Sequence, residues 1–171
     1  SIGYMKGERE LSRYYALLQL LLAGMNGIAF SGDLFTFFVF WELMSVSSYI
    51  LVGFRSYNWE PIEAGIKYLV MSAVGTSLIL YSISLIYGLT GTLNMALISE
   101  RLRSSDVDRM VLLFTFLLLI IGLGIKAAIY PLGTWLPDAH PAAPSSISAI
   151  LSGVVVKTGI YPVIRFSMLF F

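Results

Sequence analysis

Long apolar runs alternate with short polar ones along this chain, and the apolar runs are too long for the helices of a water-soluble core. A helix that crosses a bilayer needs about 20 mostly apolar residues, and five segments meet that demand. The first covers 14–30, interrupted only by Gln19 and Asn26. Ser31, Gly32 and Asp33 make a tight turn into the second, over 34–54. Pro61 opens the third, which ends near Tyr87. Proline suits a first-turn position because its missing N–H would be unpaired there, and Glu60 and Glu63 suit the positive end of the helix dipole. A polar stretch over 90–109 follows, in which SERLRSSDVDR predicts a short surface helix. The fourth run covers 110–130.

There the pattern breaks. Pro131, Pro137, Pro141 and Pro144 all fall within YPLGTWLPDAHPAAP. Proline removes a backbone donor and pushes the preceding residue out of the helical region. The spacing predicts a non-helical break or re-entrant turn from about Tyr130 to Pro144, beside a hydrated cavity. Irregular backbone at membrane depth is tolerated only where protein or water satisfies it. The fifth run covers 145–168, with Pro162 expected to kink it. The pattern reads as all-α: a polytopic membrane bundle of about five transmembrane helices with one broken helix, in a single membrane domain over 1–171.

Composition agrees and narrows the chemistry. Of 171 residues, 57% are hydrophobic and 12% charged, against about 25% charged in soluble domains. A net charge of +1 leaves no footprint for nucleic acid. The absence of cysteine excludes disulfides, iron–sulfur clusters and thiolate zinc sites. No HExxH or GxSxG run is present, so no cofactor, no metal and no autonomous catalysis is expected of this chain. Lys6, Arg9, Arg13 and Arg55 would share one membrane side, and Arg101, Arg103, Arg109 and Arg165 the other. The first loop carries three of the first set, which leans that side toward the cytoplasm.

Ionisable residues inside apolar runs are the informative ones. Glu42, Lys67, Lys126 and Lys157 lie within predicted helices and His140 within the break. Four such groups without partners would cost about 10 kcal/mol, so they must pair, face inward or touch water. At about 1.5 Å of rise per residue, Glu42 and Lys157 each lie roughly 18 Å from a common face. That is near the middle of a core about 30 Å thick. Lys126 and Lys67 sit shallower, and the long Lys126 stem brings contact with Glu42 within reach. Plainer readings stand beside a functional one. Lys67 could snorkel to the interface, His140 could be a turn residue bonded to Asp138 or the backbone, and Trp41 and Trp135 could be packing or interfacial aromatics. Glu42, Lys126 and Lys157 could form a static salt bridge, although one acid against two cations leaves a charge unbalanced. The functional reading is a proton relay, because burial disfavours charge while pairing favours it. A group held between the two changes protonation when its neighbour's charge changes. Gly122, Gly124, Ser146, Ser148, Ser152, Gly153, Thr158 and Gly159 would allow close helix approach and a polar lining.

These residues also carry a resemblance. LFTFFVFWELMSVSSYILVGF resembles the glutamate-bearing helix of the antiporter-like subunits of respiratory complex I, and GIKAAIYPLGTWLPDAHPAAPSSISAILSGVVVKTGIYPVIRF resembles their broken helix and the next one. The same family includes large subunits of Mrp-type cation/proton antiporters and of energy-converting membrane-bound hydrogenases. The resemblance runs from about Arg13 to Phe166. It implies that Glu42 is the family's membrane glutamate, Lys126 its partner on the broken helix, and Lys157 the central lysine of the following helix on the proton path. His140 would be the DAH histidine, and Lys67 a lysine of less defined role. It implies proton or cation/proton translocation as a subunit of a redox-driven complex in a prokaryotic cell membrane. The expected partners are other membrane subunits and the lipid bilayer, and the expected cargo is protons, with sodium as a further candidate. The alternatives are a subunit of a stand-alone Mrp-type sodium/proton antiporter, or a structural subunit with static charges. Family members have about fourteen membrane helices, including two inverted five-helix repeats. This sequence resembles the first repeat alone, so a fragment or split subunit supplying one half-channel is expected.

Overall fold

The computed structural model describes residue 5, residues 10–104 and residues 108–170. Its helices are α1 (Leu11–Phe30), α2 (Leu34–Val52), α3 (Trp59–Thr90), α4 (Met95–Ser104), α5 (Arg109–Lys126), α6 (Leu136–Ala142), α7 (Ser145–Ile150) and α8 (Val156–Phe170), with a π-helical turn at Leu151–Val155 joining the last two. Among the described residues the only extended pairing is an isolated bridge between Asp33 and Asn94, so the all-α expectation holds. Four helices are long and apolar enough to cross a membrane: α2, α3, α5 and the continuous unit Ser145–Phe170. The expected fifth, α1, has the length, but Arg13, Gln19 and Asn26 dilute it below the other four.

Several boundaries move from where the apolar pattern puts them. Helix α3 starts two residues before Pro61 and runs 32 residues to Thr90. It stops where Gly91 takes the left-handed conformation (φ 65°) and donates its N–H to the Tyr87 carbonyl. The surface helix α4 begins at Met95, earlier than expected, and its expected C-terminal part around Asp106 lies outside the described residues. Helix α5 ends at Lys126, four residues short of Tyr130. Pro131 forces Tyr130 out of the helical region, and the unwinding reaches back to Ala128, which sits at φ 51°. A side chain on Gly133 would lie 2.6 Å from the Ala128 carbonyl, so this turn requires glycine. The break is also not irregular throughout. Pro137 and Pro141 lie within α6, because a first-turn proline forfeits no hydrogen bond and a seven-residue helix has few to lose.

Packing is set by glycine. A Cβ on Gly24 would come within 2.7 Å of the Met44 backbone and one on Gly27 would meet the Phe40 ring, a register that makes α1 and α2 an antiparallel hairpin. Helices α3 and α5 cross at Gly75 and Gly122, where a Cβ on Gly122 would sit 2.6 Å from the Gly75 carbonyl. Ser82 donates to the Thr115 carbonyl across the same seam, at 2.8 Å. Gly159 of α8 abuts Ala127, just beyond Lys126. Gly153, expected in the same role, faces open space. Tyr14, Leu21, Phe37, Trp41, Met44, Leu123, Trp135 and Phe166 are buried in the resulting core.

The two ends of the bundle are tied separately. At one end Leu34 donates to the Leu93 carbonyl, Met95 to the Gly32 carbonyl, and the Arg165 and Arg101 guanidinium groups donate to the carbonyls of Ser31 and Thr90. At the other, the Tyr14 and Phe54 rings meet edge to face. Arg13 and Arg55 therefore lie at the opposite end from Arg101 and Arg165, as their division along the sequence expects. Lys6 and Arg9 lie outside the described residues.

Two outcomes follow. Gly122→Ala should destabilise the subunit by about 1–3 kcal/mol through overpacking, while Gly124→Ala, whose added Cβ is tight only against the flexible end of Leu132 and in ordinary contact with Ile129, should be tolerated; thermal denaturation of the detergent-solubilised protein reads both. Asp33 caps α2 by accepting from Phe35 and Thr36 at 3.0 and 2.8 Å. Burial works to raise its carboxyl pKa, but hydrogen bonds from Thr36 and Phe35 prevail and hold it below the usual carboxylate value. The stabilisation is then complete above about pH 4 and is lost as pH falls through the lower native value. Asp33→Ala should cost about 1 kcal/mol at neutral pH, and Asp33→Asn should retain the cap but lose this acid dependence in stability measured against pH.

Candidate functional site

The charged residues singled out by the apolar pattern are arranged around the end of α5. Lys126 is its last residue, 2% exposed. The Nζ donates to Ser48 Oγ on α2 at 3.1 Å and stands 4.5 Å from the centre of the Tyr68 ring on α3, within range for a cation–π contact. Ser48 Oγ lies 3.0 Å from Tyr68 Oη and donates to the Ser45 carbonyl at 2.8 Å. Tyr68 in turn stacks flat on Trp135, 3.8 Å apart and 5° from parallel. Trp135 Nε1 donates to the Ile125 carbonyl at 2.7 Å, an acceptor in the last turn of α5 that also takes the Ala128 N–H at 3.2 Å. Trp135 is thus a packing aromatic that fixes the break against the lysine. Ser48 and Tyr68 were not legible as site residues. The available signals were that Ser48 follows Glu42 on the same helix and Tyr68 adjoins Lys67.

Glu42 is partly buried on α2. Among the described residues it forms no ion pair with Lys126, although its charge acts on both Lys126 and Tyr49. Ser48 is six residues further along α2, about 9 Å of rise, and the end of α5 lies beside that turn. No direct bond joins the two groups among the described residues.

Lys67 does not snorkel freely. Half-exposed near the start of α3, it bridges Glu63 at 2.9 Å and Asp138 at 2.8 Å, joining α3 to α6. A cavity of about 510 Å³ lies there, lined by Arg55, Glu60, Glu63, Lys67, Asp138 and Pro141 among others. The cavity borders the expected break at Asp138, Pro141 and Ala142. His140 on α6 bonds neither Asp138 nor the backbone: its Nδ1 lies 2.8 Å from Ser148 Oγ on α7. Tyr14 Oη and Ser146 Oγ, 2.7 Å apart, fix the start of α7 from α1. Pro131 lies in the turn after α5, and Pro144 caps α7, its carbonyl accepting from Ile147 and Ser148.

Lys157 stands apart. It is exposed on α8 and lines a groove of about 260 Å³ with Met25, Ile28, Gly153, Val154, Thr158 and Tyr161. It makes no ion pair among the described residues. The structure therefore buries Lys126 against Ser48 and Tyr68, leaves Glu42 partly buried on the same helix as Ser48, ties Lys67 to α6, which carries His140, and turns Lys157 outward. Among the described residues no group of three His, Asp or Glu could hold a metal ion.

Comparison with known proteins adds to this geometry. Residues 31–171 match the family model described as NADH:quinone oxidoreductase/Mrp antiporter, transmembrane. The chain is 39% identical over 158 residues to an NADH-quinone oxidoreductase subunit of the N type from Chloroherpeton thalassium, covering 92% of this chain and 31% of that protein. It is 37% identical over 164 residues to a Na(+)/H(+) antiporter subunit from Bacillus subtilis, covering 96% and 33%. It superposes with a TM-score of 0.89 and 38% identity on a chain of the membrane-bound sulfane sulfur reductase, an archaeal respiratory membrane complex, covering 95% and 33%. The chain spans about one third of the length of these relatives.

Trp135 offers a direct check on the site's architecture. Trp135→Phe keeps a ring on Tyr68 but loses the bond to Ile125, and should cost about 1 kcal/mol. Trp135→Ala loses both, should cost about 3–5 kcal/mol, and should open 127–143 to protease. Native protease resistance in the alanine variant would mean that the stack does not hold the break.

Proposed function

Because this chain belongs to the NADH:quinone oxidoreductase/Mrp antiporter membrane family, we propose that it forms one proton half-channel of an antiporter-like subunit, working within a redox-driven multisubunit membrane complex. The observation that carries this reading is Lys126, buried in an apolar bundle with no carboxylate against it among the described residues. Its direct support is one serine hydroxyl and a tyrosine ring, although an ammonium has three N–H donors. A nearby opposite charge favours the ammonium, and neutralising that charge withdraws the support. Glu42, close enough to act and too far to clamp, is suited to that control.

In this reading the charged cavity at Lys67 and Asp138 is the access point and His140 holds a proton near the break. Glu42 and Lys126 form the switching pair, and Lys157, on the outward face of α8, passes the proton to a neighbouring element. The partners are other membrane subunits of the complex and lipid, and this chain's own contribution needs no cofactor. The similarity to a Na(+)/H(+) antiporter protein favours a second reading, in which the same half-channel serves a Mrp-type antiporter and sodium joins the proton.

Translocation by the assembled complex in proteoliposomes tests the proposal. Glu42→Gln and Lys126→Met should reduce proton translocation to background at native subunit levels. Lys157→Met should do the same, and Lys157→Arg should also fail because an arginine is effectively never deprotonated in a protein. Native pumping by Glu42→Gln would overturn the relay. Variants of Lys126 that impair assembly more than pumping would favour a structural role. A sodium-dependent rate would select the antiporter reading.

A further inference from the structure

Between the Glu42 carboxyl and the Lys126 ammonium lies a feature that the relay does not yet use. Helix α2 presents Glu42, Ser45 and Ser48 at three-residue spacing, so each stands about 4.5 Å along the axis from the next and neighbours it on the helix surface. Lys126 bonds the last of the three. Ser45 is 1% exposed, and its Oγ is buried without a hydrogen-bond partner.

That state is unusual in this molecule. A hydroxyl buried in a helix ordinarily gives its proton to the carbonyl one turn back. Ser47, Thr76, Thr90 and Thr115 do so, at 2.8–2.9 Å, and Ser48 reaches the Ser45 carbonyl. Of the two hydroxyls between Glu42 and Ser48 in the sequence, that of Ser47 is therefore committed to Leu43, and that of Ser45 is not. An unpaired buried hydroxyl weakens a fold, and such a group is a mark of function when it lies between reacting groups.

We propose that Ser45, with Ser48, is the hydroxyl step through which a proton crosses between Lys126 and Glu42. The inference deepens the relay reading above and rests on it. A hydroxyl has one proton to give and two lone pairs to receive with. An N–H bond of Lys126 breaks as Ser48 Oγ takes the proton, Ser48 releases its own toward Ser45, and Ser45 releases its own to the Glu42 carboxylate. Because Ser45 Oγ has no hydrogen-bond partner, water is the co-reactant that bridges it to Ser48 on one side and to Glu42 on the other. Each hydroxyl breaks one O–H bond and forms another, and no electrons change hands. The pair passes from ammonium and carboxylate to amine and carboxylic acid, and the reverse transfer restores it.

The test is Ser45→Ala in the assembled complex, reconstituted in proteoliposomes beside Glu42→Gln. Removing an unpaired hydroxyl should leave subunit level and thermal stability native or higher, while translocation falls by about tenfold or more, the effect of losing one hydrogen-bonded step. Ser45→Thr, which keeps the hydroxyl, should recover part of the rate. Native translocation by Ser45→Ala while Glu42→Gln is inactive would overturn this step and leave the relay intact. Native translocation by both would overturn the relay and the step together. Loss of assembled complex in Ser45→Ala, or a threonine variant no better than alanine, would also overturn the step, since the hydroxyl would then not be what Ser45 contributes.

Discussion

The structure is organised around keeping one ammonium group out of water. Lys126 ends α5 inside an apolar bundle, and an ionised lysine buried among apolar side chains is costly unless it is supported. The surrounding architecture meets that cost in steps. Because α5 stops at the lysine, its last carbonyls need new donors, and Trp135 supplies one at Ile125. Trp135 in turn needs a flat surface, which Tyr68 provides, and the same tyrosine ring lies under the Lys126 ammonium. Removing the lysine would leave the stack without its charge, and removing the stack would leave the end of α5 unsupported.

Close backbone approach makes this arrangement possible. Apolar helices in lipid gain little from hydrophobic burial against each other and depend on tight contact. Gly75 and Gly122 let α3 meet α5 backbone to backbone, and Gly159 lets α8 rest on Ala127. These contacts lie near Lys126, whose side chain points to Ser48. The charged groups outside the seam behave differently. Lys67 is half-exposed with two carboxylates, and such exposed pairs contribute little stability. Its value is geometric: it ties α6, which carries His140, to the first turns of α3.

The sequence revealed the spans and the charges because both depart sharply from expectation, the spans by length and the charges by their rarity in apolar runs. Glu42, Lys67, Lys126, His140 and Lys157 were all legible on that ground. The extent of the break was less so. Pro131 marks it, but the residues that unwind are upstream, and Pro137 and Pro141, which argue against helix, sit in a helix too short to suffer from them. The hydroxyls were not legible. Serine and threonine are common in membrane helices and usually satisfy themselves by bonding back one turn, so Ser45 and Ser48 look like Ser47 until the fold shows which has a partner. Tyr68 and Trp135, 67 positions apart, meet only through tertiary packing.

The energy scale of the proposed relay argues that local charges would control it. A unit charge crossing the whole membrane under 100 mV gains or loses about 2.3 kcal/mol, and a half-channel spans roughly half of that. A single hydrogen bond to a charged group is worth about 1.5–3 kcal/mol, and a nearby opposite charge can shift a protonation equilibrium by a comparable or larger amount. Neutralising Glu42 or breaking the bond from Lys126 to Ser48 therefore outweighs the half-membrane bias. Coupling in such a unit has to act on the residues that set the charge of Glu42 and Lys126. The Lys67–Asp138 bridge at the cavity and Lys157 on the open face of α8 are charged groups exposed to a neighbouring element.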